Sequence, residues 1–196
     1  AARQLAADFD HLQTAVGDAA LIYFSGITLA ILSERDRENF FNALKAARAR
    51  GAKTAFDPNL RPRLWDSEDI MRACVTEAAG LCDLVMPSFE DELAHFKDPV
   101  ADVSADRYLA AGADMVVVKN GPEEVICASR ESREAFQPKP VTNIVDTTAA
   151  GDSFNAAFLA EYLVSGNIAA SVDAGARLAG TVIQHRGALV DCFEPA

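Results

Sequence analysis

The sequence has few of the residues that build metal centres and disulfide frameworks. Its 196 residues include four cysteines and three histidines. No two cysteines form a C-x-x-C pair, which argues against a structural zinc site or a disulfide framework, and no two histidines have the H-x-x-x-H spacing of a helical metal site. We therefore expect structural histidines and reduced, mostly buried thiols. These residues are His11, His95, His185, Cys74, Cys82, Cys127 and Cys192.

Long apolar segments and excess positive charge are also missing. No apolar run approaches the roughly 20 residues of a membrane span, and residues 1–10 lack the apolar core of a signal peptide. Asp and Glu outnumber Lys and Arg by 29 to 18, for a formal net charge of −11, and an acidic protein repels phosphate backbones and anionic membranes. We expect a soluble, cytoplasmic protein with neither a nucleic-acid nor a membrane partner. An anionic substrate would need a locally positive pocket.

Two common nucleotide-binding fingerprints do not occur. The sequence contains neither G-x-x-x-x-G-K-[ST] nor G-x-G-x-x-G, so P-loop and Rossmann dinucleotide interpretations lack their defining residues. What the sequence does contain is an alternation of strand-length apolar runs with amphipathic helical stretches, which is typical of parallel βαβ units. Length and composition fit a single α/β domain over residues 1–196.

The hydrophobic pattern predicts the order of the elements. Strands are expected at 20–26, 53–56, 84–86 and 115–118, with 125–128 as a hairpin partner and 141–145 as an extended segment. One helix begins after Ser33, buries Phe40, Phe41, Leu44 and Ala47, and closes at Gly51. Further helices are expected at 67–79, 105–111, 150–164 and 168–185, with a short one opened by residues 90–92.

Polar and glycine residues collect where the predicted strands end. They lie at 57–61, at Ser88, at 120–121 and at 146–152. Open α/β sheets bind their ligands in a crevice outside the carboxyl ends of the strands. These four clusters therefore predict one binding crevice.

The segment 146–152 is the most informative of the four. Small residues at 149–151 let backbone N–H groups approach an anion, and the helix that begins there adds about half a positive charge from its dipole. Asp152 supplies a carboxylate beside this phosphate cradle, as a general base requires. The alternative is an ordinary capped helix, with Asp146 or Asp152 as the N-cap.

The stretch D-T-T-A-A-G-D-S-F at 146–154 resembles the D-T-x-G-A-G-D signature of the ribokinase-like (PfkB) carbohydrate kinase family. The resemblance implies that Asp152 deprotonates the acceptor hydroxyl and that the amides of Ala149, Ala150 and Gly151 form an anion hole. Ala149 stands where the family usually has glycine, which an amide role tolerates if φ is negative. The signature with alanine at position 149 is similar to that of 2-keto-3-deoxygluconate kinases in particular.

A second match lies at 57–65, where D-P-N-L-R-P-R-L-W resembles the D-x-N-x-R-x-x-L-W stretch of family sugar kinases. The resemblance places Asn59 and Arg61 between the nucleotide phosphates and the substrate. A permanently charged guanidinium matches phosphate or carboxylate. The alternative is a surface turn with an Arg–carboxylate pair.

The segment 86–92 occupies the place of the family's P-N-x-x-E motif. Ser88 replaces the usual Asn and Asp91 the usual Glu. The resemblance implies an ATP contact at Ser88 and a water-mediated Mg²⁺ role for Asp91. The alternative is a helix with acidic residues in its first turn.

The segment 119–124 resembles the K-x-G-x-x-G nucleotide loop, with Glu124 where the last glycine is expected. Lys119 and Gly121 are thereby implied in ATP binding, although a hairpin turn also explains Asn120-Gly121. In the terminal helix, Gly175 and Gly180 would lie near the nucleotide site, and we expect them to serve helix packing.

Taken over residues 21–190, the resemblance implies a three-layer, doubly wound, mostly parallel ribokinase-like fold that lacks the family's N-terminal strands and lid. It implies an ATP- and Mg²⁺-dependent phosphotransferase acting on a small-molecule sugar or sugar acid, first of all 2-keto-3-deoxygluconate at its 6-position. Four alternatives stay open: a fructokinase, a ribokinase, a non-catalytic nucleotide-binding fragment and an α/β domain without ligand. A homo-oligomer is also an open expectation.

Overall fold

A computed structural model of the chain describes residues 2–190. Its strands are β1 (Leu21–Ser25), β2 (Lys53–Asp57), β3 (Leu84–Val85), β4 (Met115–Val118), β5 (Val125–Ser129) and β6 (Arg133–Phe136). Its helices are α1 (Phe9–Ala15), α2 (Gly26–Ala30), α3 (Glu34–Ala49), α4 (Glu68–Ala79), α5 (Phe89–His95), α6 (Ala101–Ala111), α7 (Ala150–Ser165) and α8 (Ile168–Val182). The sheet has the order β1-β2-β3-β4-β5-β6, and β1 to β4 pair in parallel. The α/β class and the mostly parallel sheet are confirmed.

The chain divides into two compact units. One comprises Ala1–Val118 with Ala128–Arg133, and the other comprises Lys119–Cys127 with Glu134–Ala196. The single domain expected from the sequence stays a prediction. No helix of the described residues is long and apolar enough to cross a bilayer.

The core of the first unit forms around the parallel strands. β3 and β4 are buried along their whole length, as a strand covered on both faces requires. The Phe24 ring stacks on Phe56 at a centroid distance of 4.8 Å and meets the edge of Phe40 at 5.0 Å. The predicted apolar stripe of α3 is buried throughout. α3 therefore packs through the face that its 3.6-residue period selects.

The ends of the helices follow local sequence signals. Ser33 Oγ accepts a hydrogen bond from Asp36 N at 3.2 Å, and Ser67 Oγ accepts one from Ile70 N at 3.2 Å. Gly51 follows α3 with φ +101°, a left-handed conformation in which glycine carries no penalty. The predicted N-cap at Ser33 and the stop at Gly51 are confirmed.

Three elements were not predicted, and one predicted segment differs. The helices α1 and α2 and the strand β6 occupy stretches without a clear periodic pattern. Residues 141–145, expected as an extended segment, form a loop. Val145 N donates to Ile183 O at 2.8 Å, so the loop is tied to the end of α8 and belongs to no strand pair.

The second unit is built on the pair α7 and α8. A Cβ on Gly175 would lie 2.9 Å from Phe154 O, and one on Gly180 would lie 3.1 Å from Val141 Cγ2. Both values are tighter than ordinary van der Waals contact, so the two glycines permit close packing. The helix-packing role expected for Gly175 agrees with its distance from Phe154 on α7, whereas Gly180 faces Val141, which lies in a loop.

Three of the four cysteines are buried and free: Cys74, Cys82 and Cys127. Burial raises the pKa of Cys74 to about 11 and the pKa values of Cys82 and Cys127 to about 12. Cys192 lies outside the described residues. Three reduced, buried thiols are confirmed.

We expect these three thiols to be inert toward a water-soluble disulfide reagent at pH 8 and to react at once in guanidinium. The attacking species is the thiolate, and a raised pKa leaves that form scarce until the pH approaches the raised value. The measurement is a count of thiols modified in the native and in the unfolded chain. More than one rapidly modified thiol in the native chain would contradict the burial.

Candidate active site

A turn built on Asp146 leads into α7. Asp146 Oδ1 accepts hydrogen bonds from Thr148 N at 2.9 Å and from Thr148 Oγ1 at 2.7 Å, while Oδ2 accepts one from Gly187 N at 2.9 Å. These bonds lower the pKa of Asp146 to about 2, the Thr148 hydroxyl having the largest effect. Asp146 therefore fastens the turn to the chain beyond α8.

The N-cap of α7 is Ala149, and its side chain makes no capping hydrogen bond. The alternative interpretation, in which Asp146 or Asp152 caps this helix, is therefore wrong. The first N–H groups of a helix find no carbonyl within the helix. An uncapped N-terminus of this kind leaves its positive end available to an anion.

Ala149 adopts a left-handed conformation with φ +62° and ψ 12°. An alanine is expected to be tolerated here on the condition that φ is negative, and that condition is not met. An alanine there carries about 1–2 kcal/mol of strain that a glycine would not.

The three amides expected in the anion hole are not equivalent. Ala150 N donates to Thr147 O at 3.2 Å, a long hydrogen bond. Gly151 and Asp152 are the second and third residues of α7, where the helix supplies no acceptor. The Gly151 and Asp152 amides are therefore without an acceptor inside the helix, and the Ala150 amide has one long hydrogen bond, to Thr147 O.

Lys119 brings a positive charge to this turn. Its Nζ lies 3.6 Å from the point where a Cβ on Gly151 would be, and it donates to Oδ1 of the buried Asn155 at 3.0 Å. Gly121 follows with φ +57°, and Glu123 N donates to Asn120 O at 3.0 Å, which closes a turn. Lys119 Nζ therefore lies beside the start of α7. Gly121 lies in a separate tight turn, over residues 120–123.

Asp152 lies in the first turn of α7, and its side chain is exposed. A carboxylate in the first turn is favoured by the helix dipole. Its position directly after Gly151 sets a carboxylate next to backbone amides for which the helix supplies no acceptor. A base next to an anion hole, if these groups act as such, is what transfer of a phosphoryl group to a hydroxyl requires.

The second unit also contains a cavity of about 440 Å³. It is lined by residues 135–141 on one side and by one face of α8 on the other, including Val172, Ala176 and Gly180. The walls also carry polar and charged side chains, among them Lys139, Asp173 and Arg177. A volume of this size with mixed apolar and polar walls can take a heterocyclic ring.

In the first unit, the loop after β2 is held by two carboxylates. Asp57 Oδ1 accepts from Asn59 N at 3.0 Å. Asp91 Oδ2 accepts from Leu60 N at 3.2 Å and lies 3.8 Å from Arg61 Nη1. Burial raises the pKa of Asp91. The structure thus brings Asn59, Arg61 and Asp91 together, and it contains the Arg–carboxylate pair of the alternative interpretation.

Ser88 is the N-cap of α5, and its side chain makes no capping hydrogen bond. Among residues 2–190, no group of three or more His, Cys, Asp or Glu side chains could hold a metal ion. Mg²⁺ commonly keeps several waters and uses one or two carboxylates together with substrate phosphates. The single carboxylate of Asp91 fits that mode of binding and does not fit an all-protein cage.

A buried ionic network that no local sequence pattern indicates connects α5 to α6. Arg107 Nη2 donates to Glu92 Oε2 at 2.5 Å and to Asp98 Oδ2 at 2.7 Å, and Tyr108 OH donates to Glu92 Oε1 at 3.0 Å. The guanidinium also lies 3.6 Å from the centroid of the Phe96 ring. The glutamate is fully buried, and burial raises its pKa to about 7. The network fixes the helix that carries Asp91.

Replacing Ala149 with glycine should stabilise the chain by about 0.5–1 kcal/mol. The relief of left-handed strain, about 1–2 kcal/mol, exceeds the roughly 0.5–1 kcal/mol that glycine costs through the unfolded state. Urea unfolding measures the difference. Ala160→Gly, in the interior of α7, is the matched control and should destabilise by about 1 kcal/mol; equal losses for the two variants would contradict the strain.

Comparison with known proteins adds sequence relatives. A profile described as pfkB family carbohydrate kinase matches residues 1–194. The chain is 37% identical over 186 residues to 2-dehydro-3-deoxygluconokinase of Haemophilus influenzae, covering 94% of this chain and 59% of that protein. It is 39% identical over 173 residues to 2-dehydro-3-deoxygluconokinase of Escherichia coli K12, covering 86% and 56%. The chain thus spans less than three fifths of the length of these curated relatives.

Solved structures agree with the fold. Fructokinase from Vibrio cholerae O395, in its form with fructose, ADP and calcium ion, matches with a TM-score of 0.72 and 26% identity over 86% of this chain and 56% of that chain. The PfkB protein from Polaromonas sp. JS666 matches with a TM-score of 0.76 and 25% identity over 88% and 56%. The ribokinase-like fold expected from the sequence is confirmed.

Proposed function

Because the chain belongs to the pfkB family of carbohydrate kinases, we propose that it is the nucleotide-binding and catalytic portion of an ATP-dependent kinase that phosphorylates 2-keto-3-deoxygluconate on its 6-hydroxyl. The observation that carries the proposal is the uncapped N-terminus of α7, where Asp152 directly follows the Gly151 amide. The relatives reported above support the substrate.

In this function Asp152 accepts the proton of the attacking hydroxyl as the oxygen bonds to the γ-phosphorus of ATP and the bond to ADP breaks. The amides of Ala149, Ala150 and Gly151 donate to the oxygens of the transferred phosphoryl group, and the Asp152 amide, for which the helix supplies no acceptor, lies next to them. Lys119, next to Gly151, adds a positive charge where negative charge accumulates. The protein's contribution is position and electrostatics, since phosphoryl transfer needs little covalent chemistry from side chains.

The cavity between the 135–141 loop and α8 is our proposed site for the adenine ring. Bound Mg²⁺ would neutralise phosphate charge, with Asp91 as the side chain that holds it through water. Asn59, Ser88 and Gly121 stay predicted contacts of ATP. The cytoplasmic location and a homo-oligomer also stay predictions.

Arg61 favours a sugar acid over a neutral sugar. Its side chain is about half exposed although it lies near Asp91, so a guanidinium is available to a substrate carboxylate. Fructose is the second candidate, because the chain matches a fructose-bound fructokinase in both sequence and fold. A neutral sugar would leave Arg61 without an anionic substrate group.

The test is a coupled ATP-turnover assay of the protein that contains this chain, with 2-keto-3-deoxygluconate, fructose and ribose as parallel acceptors. Turnover confined to the keto acid is expected, and Arg61→Met should raise the KM for the keto acid while Arg63→Met, an exposed neighbour, should not. Rapid turnover of fructose instead would identify a fructokinase. ATP binding without turnover of any acceptor would identify a non-catalytic nucleotide-binding protein.

A further inference from the structure

The buried amide of Asn155 has no part in the function proposed so far. Asn155 lies on α7 four residues after Gly151, so both residues are on the same face of the helix. Its side chain is 1% exposed. A buried amide must have hydrogen-bond partners, and its Oδ1 accepts from Lys119 Nζ at 3.0 Å.

We infer that Asn155 is a positioning residue that holds the Lys119 ammonium beside the Gly151 amide so that both face the phosphates of ATP. This inference rests on the proposed function. Lysine is a point charge on a flexible four-carbon stem, and fixing such a side chain costs rotamer entropy. Asn155 orders the lysine side chain when the protein folds. The loss of rotamer entropy therefore does not weaken nucleotide binding.

The neutrality of Asn155 is essential to this role. An amide oxygen orients the ammonium without cancelling its charge, whereas a carboxylate at the same place would pair with Lys119 and compete with phosphate. Gly151 lies directly beside the ammonium, since a Cβ on it would be 3.6 Å from Nζ, an ordinary van der Waals contact.

The experiment is titration of the chain with MgATP and, separately, with AMP, by calorimetry. Asn155→Asp retains the shape of the side chain and an acceptor for Lys119, but its carboxylate neutralises the charge of the Lys119 ammonium. Asn155→Leu removes the acceptor. We expect each to weaken MgATP binding about tenfold, the lower end of the range for hydrogen bonds to charged groups, while AMP affinity changes less than twofold. Asn42→Leu, on the exposed surface of α3, is the matched control.

A double-mutant cycle separates positioning from general damage to the fold. Lys119→Met should also weaken MgATP binding about tenfold, and adding Asn155→Leu to it should cause no further loss, because Asn155 acts through Lys119. Equal losses for MgATP and AMP, or additive losses in the cycle, would overturn the inference.

Two different results separate failure of the proposed function from failure of this inference. A wild-type chain that binds neither nucleotide would overturn the proposed function and the inference with it. A wild-type chain that binds MgATP, with unchanged affinity in both Asn155 variants, would overturn the inference alone.

Discussion

Asp152→Asn should lower kcat by about 10²–10⁴-fold, the usual contribution of a general base, while the affinity for ATP stays within about threefold. Asparagine has nearly the same shape as aspartate and keeps the first turn of α7 intact, but it cannot accept the proton of the acceptor hydroxyl. Steady-state kinetics on the protein that contains this chain, with ATP affinity measured separately, gives both quantities.

The matched control is Asp69→Asn, an exposed carboxylate in the first turn of α4 that pairs with Arg72. It makes the same change of charge and should leave kcat within about twofold, because an exposed ion pair contributes little. A loss of less than tenfold in Asp152→Asn would remove Asp152 from the role of base.

Arg107→Leu should lower the free energy of unfolding by about 3–5 kcal/mol, the cost of leaving buried charge without its partner. The substitution removes the guanidinium that receives Glu92 and Asp98, both of them buried. It also removes a cation from the faces of Phe96 and Tyr108. Urea unfolding followed by circular dichroism measures the loss.

Arg133→Leu is the control for this prediction. Arg133 also pairs with two carboxylates, Asp102 and Asp106, but these lie at the surface. Exposed pairs are typically worth 0–1 kcal/mol, so the expected loss is about 1 kcal/mol or less. Equal losses of unfolding free energy in the two variants would contradict the claim that burial makes the Glu92 network costly to break.

Periodicity and caps were enough to predict most of the frame. Ser33 and Gly51 bound α3, and the continuous apolar run at 115–118 is the buried strand β4, because each of these signals is local. β6 was missed because three of its four residues are exposed and it begins on a charged residue. The β-branched residues at 141–145 indicated an extended segment, but the stretch is a loop whose Val145 N donates to Ile183 O at the end of α8.

The site was predictable only where its residues are consecutive. The turn at 146–152 stands out in the sequence, but the left-handed φ of Ala149 depends on how the turn joins α7. Asn155 was missed because its partner, Lys119, is 36 residues away. Its spacing of four residues from Gly151 was the one available signal. The Glu92 network likewise depends on packing between α5 and α6, which no local pattern encodes.

The most direct test of the account is nuclear magnetic resonance of the ¹⁵N-labelled chain during titration with the magnesium complex of a non-hydrolysable ATP analogue. We expect the amides of Ala149, Ala150, Gly151 and Asp152 to shift most and the amide of Gly166, at the far end of α7, to stay in place. AMP should shift these four amides much less, because it lacks the β- and γ-phosphates. Saturation without a shift at these amides would contradict the claim that the N-terminus of α7 binds the transferred phosphoryl group.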